Sequence, residues 1–258
     1  MFIIGERINA MFKSVNEAFK NHDESFVREI AISQIRSGAK ALDLSLGTEF
    51  KDSFEKIGWL IETVKDIDQV ELSIDSPKIE IIEHALKILK KPAIINSSTA
   101  HDEKLEKYIE LAKKYNSKLI VLTMDEKGLP QSVEGRIELI MKIIQTSEKM
   151  NFRLEDVLID PLVMPVNVAQ NQAETVIRTI REIQILTEPA IKTVCGLSNF
   201  SQGAANKKLL NRTYVSMLIE AGLYGAIMYP LDSELMETVK ASEIITGKNI
   251  YCDSFLTI

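Results

Sequence analysis

The sequence predicts a (β/α)8 barrel. Three observations carry this reading. Eight short β-prone runs recur along the chain, helical patterns lie between them, and no linker or low-complexity tract divides the 258 residues. That length fits one large α/β barrel, so residues 1–258 are read as a single barrel domain.

The strand candidates come in order. They are FIIGERI (2–8), ALDLSL (41–46), ELSID (71–75), AIINS (93–97), KLIVLTM (118–124), VLIDPL (157–162), IKTVCGLS (191–198) and GAIMY (225–229). Each is short, apolar and mostly β-branched, as strands buried on both faces are. Between them lie amphipathic helices. DSFEKIGWLIETVKDI places Phe54, Ile57, Leu60, Ile61 and Val64 at three- and four-residue spacings, which makes one apolar stripe. KLEKYIELAKKYN, VEGRIELIMKIIQTSEKM, KKLLNRTYVSMLIEAGL and SELMETVKASEIITG do the same. Glycines in SGAK, EAGLYG and ITGK fall just past helix ends, where a C-cap glycine belongs. An open doubly wound sheet is the alternative, but GERINAMFK after the first strand is not G-x-G-x-x-G.

Bulk composition excludes several roles. The apolar fraction of 45% and charged fraction of 26% are ordinary for a globular protein. A net charge of −6, with 31 basic residues scattered along helices, argues against a nucleic-acid binder. Cys195 and Cys252 make no disulfide framework, which points to a reduced, cytoplasmic setting. The apolar run in MFIIGERINA is too short for a signal peptide. No stretch approaches the roughly 18 apolar residues of a membrane span.

In such a barrel the active site lies at the C-terminal strand ends. Glu6, Arg7 and Asn9 are expected there from the first strand, Asp43 and Ser45 from the second, and Asp75 from the third. Asn96 and Ser97, Thr123 and Met124, Asp160, Ser198 and Asn199 follow, then Tyr229-Pro230 with Asp232 beyond. This mouth holds acids and amides, few cations and no histidine. His22, His84 and His101 read as helix or loop residues away from strand ends, which argues against a Ser-His-Asp relay. No His/Cys cluster has zinc spacing, and a metal on Asp43, Asp75 and Asp160 is kept as an alternative. Asp43 paired with Arg7 inside the mouth is a structural alternative to a binding role. Cys195 and Trp59 read as packing residues, and Met164-Pro165 as a rigid loop.

The inventory favours a planar, nitrogen-rich ligand. A carboxylate accepts two parallel N–H bonds from an amino-pyrimidinone edge. An asparagine amide complements a ring edge that carries one donor and one acceptor. A pterin or purine therefore suits this mouth better than a phosphate.

The motifs GERIN, ALDL, IDS, INS, LTM, IDPLVMPVNVAQ, KTVCGLSN, NRT and YCDSF together resemble the methyltetrahydrofolate:corrinoid protein methyltransferases. These sit within the pterin-binding barrels that include dihydropteroate synthase. The likeness runs from residue 3 to residue 255. It implies a pterin-binding (β/α)8 barrel that moves a methyl group between N5 of tetrahydrofolate and the cobalt of a corrinoid. It implies Asp160 on the amino-pyrimidinone edge, Asn96 beside it, and Asp75 on a ring N–H. Gly196 and Ser198 match the loop that lets backbone approach the ring, Gln202 its rim, and Asn199 the catalytic residue against N5. Asp43 and Ser45 join the substrate-binding set, although the family commonly has asparagine where Ser45 stands. No D-x-H-x-x-G cobalamin motif is present, so the corrinoid (cobalamin) is expected on a partner protein docked over the mouth. Tetrahydrofolate or its 5-methyl derivative is the small-molecule substrate, no metal is bound by this chain, and a homodimer is implied. Two rivals remain. Dihydropteroate synthase shares the pterin acids, but GLSN and MYPLD lack the cations its family carries on strands seven and eight. A folate-binding subunit without turnover is the other.

Overall fold

The structure, a computed structural model, describes residues 1–47, 50, 52–67 and 70–252. Eight parallel strands close into a barrel in sequence order, with the last paired to the first. They are β1 (Phe2–Asn9), β2 (Ala41–Ser45), β3 (Glu71–Asp75), β4 (Ile94–Thr99), β5 (Lys118–Leu122), β6 (Val157–Asp160), β7 (Lys192–Gly196) and β8 (Gly225–Met228). Each run expected from the sequence forms its strand. β6 stops two residues early because Pro161 has no N–H for the ladder and Leu162 turns into the left-handed region at φ 61°.

The first crossover carries two helices, α1 (Lys13–Asn21) and α2 (Glu24–Arg36). They are separate because His22 ends the first in the left-handed region, and Asp23 caps the second by accepting from Phe26 N at 3.0 Å. Next come α3 (Ser53–Val64), α4 (Ile79–Leu89), α5 (Asp102–Lys114), α6 (Val133–Lys149) and α7 (Asn171–Ile183). After β7 a single turn, α8 (Leu197–Phe200), precedes α9 (Lys207–Ala221), and α10 (Ser233–Ile245) follows β8. The expected cap glycine at Gly222 does adopt φ 109° and closes α9. Among the described residues, no helix is long and apolar enough to cross a membrane.

The apolar residues form two separate clusters. The larger packs strand residues such as Leu42, Ile95, Val121 and Ile159 against the helices. The smaller holds Ile4, Ala41, Ile94, Ile120, Leu158 and Val194, the alternate residues of six strands, and so fills the barrel interior. Below it, Phe2 stacks on Tyr224 at 5.7 Å, with Lys118 Nζ and Lys192 Nζ over the two rings. This floor closes the N-terminal end. A cavity of about 590 Å³ opens beneath it, lined by Met1, Lys40, Lys192 and Lys248 among others. It is larger than the roughly 90 Å³ recess beside Asp75 at the C-terminal end. Size does not decide function here, because in this fold the N-terminal end serves stability.

Candidate active site

Two residues further along each strand, the interior changes character. Ile4 gives way to Glu6, Ala41 to Asp43, Ile94 to Asn96, and Leu158 to Asp160 on the same faces. On β5 and β7 the matching positions are Leu122 and Gly196. The barrel is thus apolar at mid-height and polar at its mouth, with one apolar wall and one open gap.

The polar residues fall into three groups. On β2–β4, Ser45, Asp75 and Asn96 stand side by side in register. Asp43 Oδ1 accepts from Ser73 Oγ at 2.6 Å and from Asn96 Nδ2 at 3.0 Å. Burial pushes the Asp43 carboxyl up to about 8, and the neighbouring Asp75 charge adds to this. The two donated bonds oppose the shift and lose. Burial also raises Asp75, against a hydrogen bond from Ser45. Ser45 therefore steadies Asp75, and Asn96 leaves its carbonyl oxygen open toward the mouth.

The second group joins β1 to the start of α8. Ser198 Oγ donates to Glu6 Oε1 at 2.7 Å. Burial raises the Glu6 carboxyl against that bond and against Arg7. Asn199 is exposed on α8, and its side chain folds back over Gly196. Gln202 lies exposed beyond it at the rim.

The third group centres on Asp160, which is 7% exposed. Its Oδ1 accepts from Leu162 N at 2.7 Å, so Oδ2 is left for a ligand. Burial pushes this carboxyl up to about 7, against the Leu162 N–H and the charge of Arg136. Sequence reasoning missed Arg136, the cation that acts on Asp160 and bonds to Pro161 O at 2.6 Å. It interrupts the buried face of α6 among Val133, Leu139 and Ile140, and an arginine in an apolar stripe was the available signal.

Several expectations are corrected. Asp43 does not pair with Arg7, whose guanidinium lies 4.1 Å over the Phe12 ring, because Ser73 and Asn96 already hold the carboxylate. His101 is not far from a strand end: it lies two residues past Thr99 of β4, at the start of α5. At the level of the mouth the interior residue of β5 is Leu122, and Thr123 beyond the strand is fully buried. Asp232 caps α10 by accepting from Leu235 N at 3.2 Å, so it is a helix cap. Asp253, Ser254 and Phe255 of YCDSF lie outside the described residues. Among the described residues, no three His, Cys, Asp or Glu side chains converge as a metal would require.

The sequence signature described as "Pterin binding enzyme" matches residues 5–227. The chain belongs to this family. It is 30% identical, over 99% of its own length and 94% of the relative's, to the methylcorrinoid:tetrahydrofolate methyltransferase of Eubacterium limosum. That match places it with these methyltransferases among the pterin-binding enzymes. It is 28% identical to methionine synthase of Mycobacterium leprae over 89% of this chain, which spans 20% of that much longer protein. Among solved structures, 7,8-dihydropteroate synthase from Vibrio fischeri superposes with a TM-score of 0.69 at 12% identity, covering 96% of this chain and 94% of that one. Dihydropteroate synthase from Yersinia pestis, bound to a pterine-sulfa conjugate, gives 0.68 at 14%, with the same coverage. At such identities the two structures speak for the barrel alone.

Proposed function

We propose that this protein moves a methyl group between N5 of tetrahydrofolate and a corrinoid carried by a separate protein. The observation that carries the reading is the set of carboxylates and amides in a barrel mouth of this family. Asp160 Oδ2 accepts from the amino-pyrimidinone edge, Asp75 from a ring N–H, and the Asn96 oxygen from the same ring. Asp43 and Ser45 act one step back, holding Asn96 and Asp75. Leu122 supplies apolar contact, and Gly196 keeps the ring's path open. The exposure of Asn199 and Gln202 supports a partner approaching from above, where the corrinoid supplies the cobalt that carries the methyl group.

Asn199 is the catalytic residue in this reading. When the methyl group leaves N5, the nitrogen gains negative charge unless a donor meets it. When the methyl group arrives, the N5 proton must leave. An amide serves both cases, donating through Nδ2 or accepting through Oδ1. The rest is alignment of N5, methyl and acceptor for in-line displacement. One site serves both directions, and the name of the E. limosum relative supports transfer toward tetrahydrofolate. The reading includes a homodimer in the cytoplasm.

Single-turnover transfer between methylcobalamin and tetrahydrofolate, followed by the cobalamin spectrum, is the test. Transfer in either direction is expected. Tight folate binding without transfer would identify a binding subunit, and phosphate release from the pterin pyrophosphate would identify a dihydropteroate synthase.

A further inference from the structure

Arg136 is fully buried and is the largest fully enclosed side chain among the described residues. Its Nε donates to Pro130 O at 3.1 Å, Nη1 to Pro161 O at 2.6 Å, and Nη2 to Gln172 Oε1 at 2.6 Å. Gln172 Nε2 in turn donates to Gln131 O at 3.1 Å. One guanidinium therefore ties the loop after β5, the loop after β6 and the first turn of α7. All of its acceptors are neutral oxygens. Burying a cation without a carboxylate bonded to it is costly, and a well-packed apolar side chain would avoid that cost. Packing alone does not explain an arginine here.

The turn it grips is the one that carries Asp160. Pro161, whose carbonyl Arg136 holds, separates Asp160 from Leu162. Leu162 sits at φ 61°, a left-handed conformation that is unfavourable for a branched side chain. Pro161 O and Leu162 N belong to one planar peptide unit, and that N–H reaches back to Asp160 Oδ1. The bond from Arg136 to Pro161 O offsets the strain and fixes the turn.

We propose that Arg136 is a positioning residue for Asp160: it locks the Asp160–Pro161–Leu162 turn and sets a buried cation near the carboxylate that receives an N–H-rich ring. The inference rests on the reading of Asp160 as the pterin carboxylate. Other titratable groups pack nearby. Cys195 on β7 lies close enough to feel the same carboxylate, and Tyr214 on α9 feels Arg136; burial pushes both of their pKa values up, which leaves them neutral near pH 7. Arg136 is the charged group that opposes the burial of Asp160.

The test is the titration midpoint of the Asp160 carboxyl, read by carbon NMR of labelled aspartate and assigned with Asp160→Asn. Tetrahydrofolate affinity against pH is measured in parallel by calorimetry. Arg136→Met should raise the midpoint by roughly one pH unit, as loss of an adjacent opposite charge does. Arg136→Lys should leave the midpoint near wild type yet weaken folate binding about tenfold, because the fork that fixes the turn is gone. Gln172→Glu keeps the packing and neutralises the guanidinium, so it should also raise the midpoint. A midpoint unmoved in Arg136→Met, or in Gln172→Glu should the first variant not fold, overturns the proposal. If the midpoint moves but the wild type binds no tetrahydrofolate, Arg136 acts as stated and the proposed function is wrong.

Discussion

The Asn199 amide nitrogen occupies space that a side chain at Gly196 would need: it lies 2.8 Å from where a β-carbon would stand. Gly196 is at φ −76°, an ordinary value, so its lack of a side chain serves contact and not backbone freedom. The neighbour that must give way is the end of an exposed side chain. Gly196→Ala should therefore fold with its melting temperature changed by only a few degrees, while Asn199 is pushed aside. Single-turnover transfer should slow by about tenfold or more, because a misplaced group loses catalytic power quickly. A wild-type rate in Gly196→Ala would show that the folded-back position of Asn199 is not the working one.

Asn199→Ala tests the role itself. Contacts that strengthen in the transition state raise kcat, and the charge on N5 changes most there. The variant should lose about 10²–10³ in single-turnover rate, as loss of one preorganised donor does. Tetrahydrofolate affinity should change little, since Asp75, Asn96 and Asp160 remain. Collapse of binding with a wild-type rate at saturation would make Asn199 an anchor instead.

Asp160→Ala should weaken tetrahydrofolate binding by roughly 2–4 kcal/mol, because the ligand N–H groups that meet Oδ2 lose a charged acceptor and the Leu162 N–H loses its partner in the same buried site. Calorimetry reads this directly. An unchanged dissociation constant would remove Asp160 from the site.

The raised acids predict a pH dependence with a definite sign. Burial pushes Asp43 up to about 8 and Asp160 up to about 7 in the folded chain, from an ordinary 3.8. Between those values and 3.8 the folded state holds more protons than the unfolded one, so these groups make stability fall as pH rises across that window. The melting temperature of the unliganded protein should drop between pH 5 and pH 8 by more than that of an Asp43→Asn, Asp160→Asn double variant. Parallel curves for the two proteins would show that neither acid is perturbed. Bound tetrahydrofolate should shrink the drop, since its N–H groups favour the ionised carboxylates.

Tetrahydrofolate binding should survive exhaustive chelation, because the Asp43 and Asp160 carboxylates are held by N–H and O–H donors in separate groups. Binding lost on chelation and restored by a divalent ion would place a metal in the mouth.

The eight strands and their order were legible in the sequence, because local signals specify them: short β-branched runs, helical stripes and cap residues such as Gly222. Asp75, Asn96 and Asp160 were legible as mouth residues for the same reason, since a strand's end can be read from its own residues. The bonds among them were not legible. Asp43 meets Asn96 across 53 positions, Arg136 meets Gln172 across 36, and Ser198 meets Glu6 across 192. By sequence the candidate partner of Asp43 was Arg7, and barrel register gave it Ser73 and Asn96 instead. Local chain stiffness and side-chain periodicity determine which residues reach the mouth. Which of them touch depends on closure of the barrel, which sets the stagger between strands far apart in the chain.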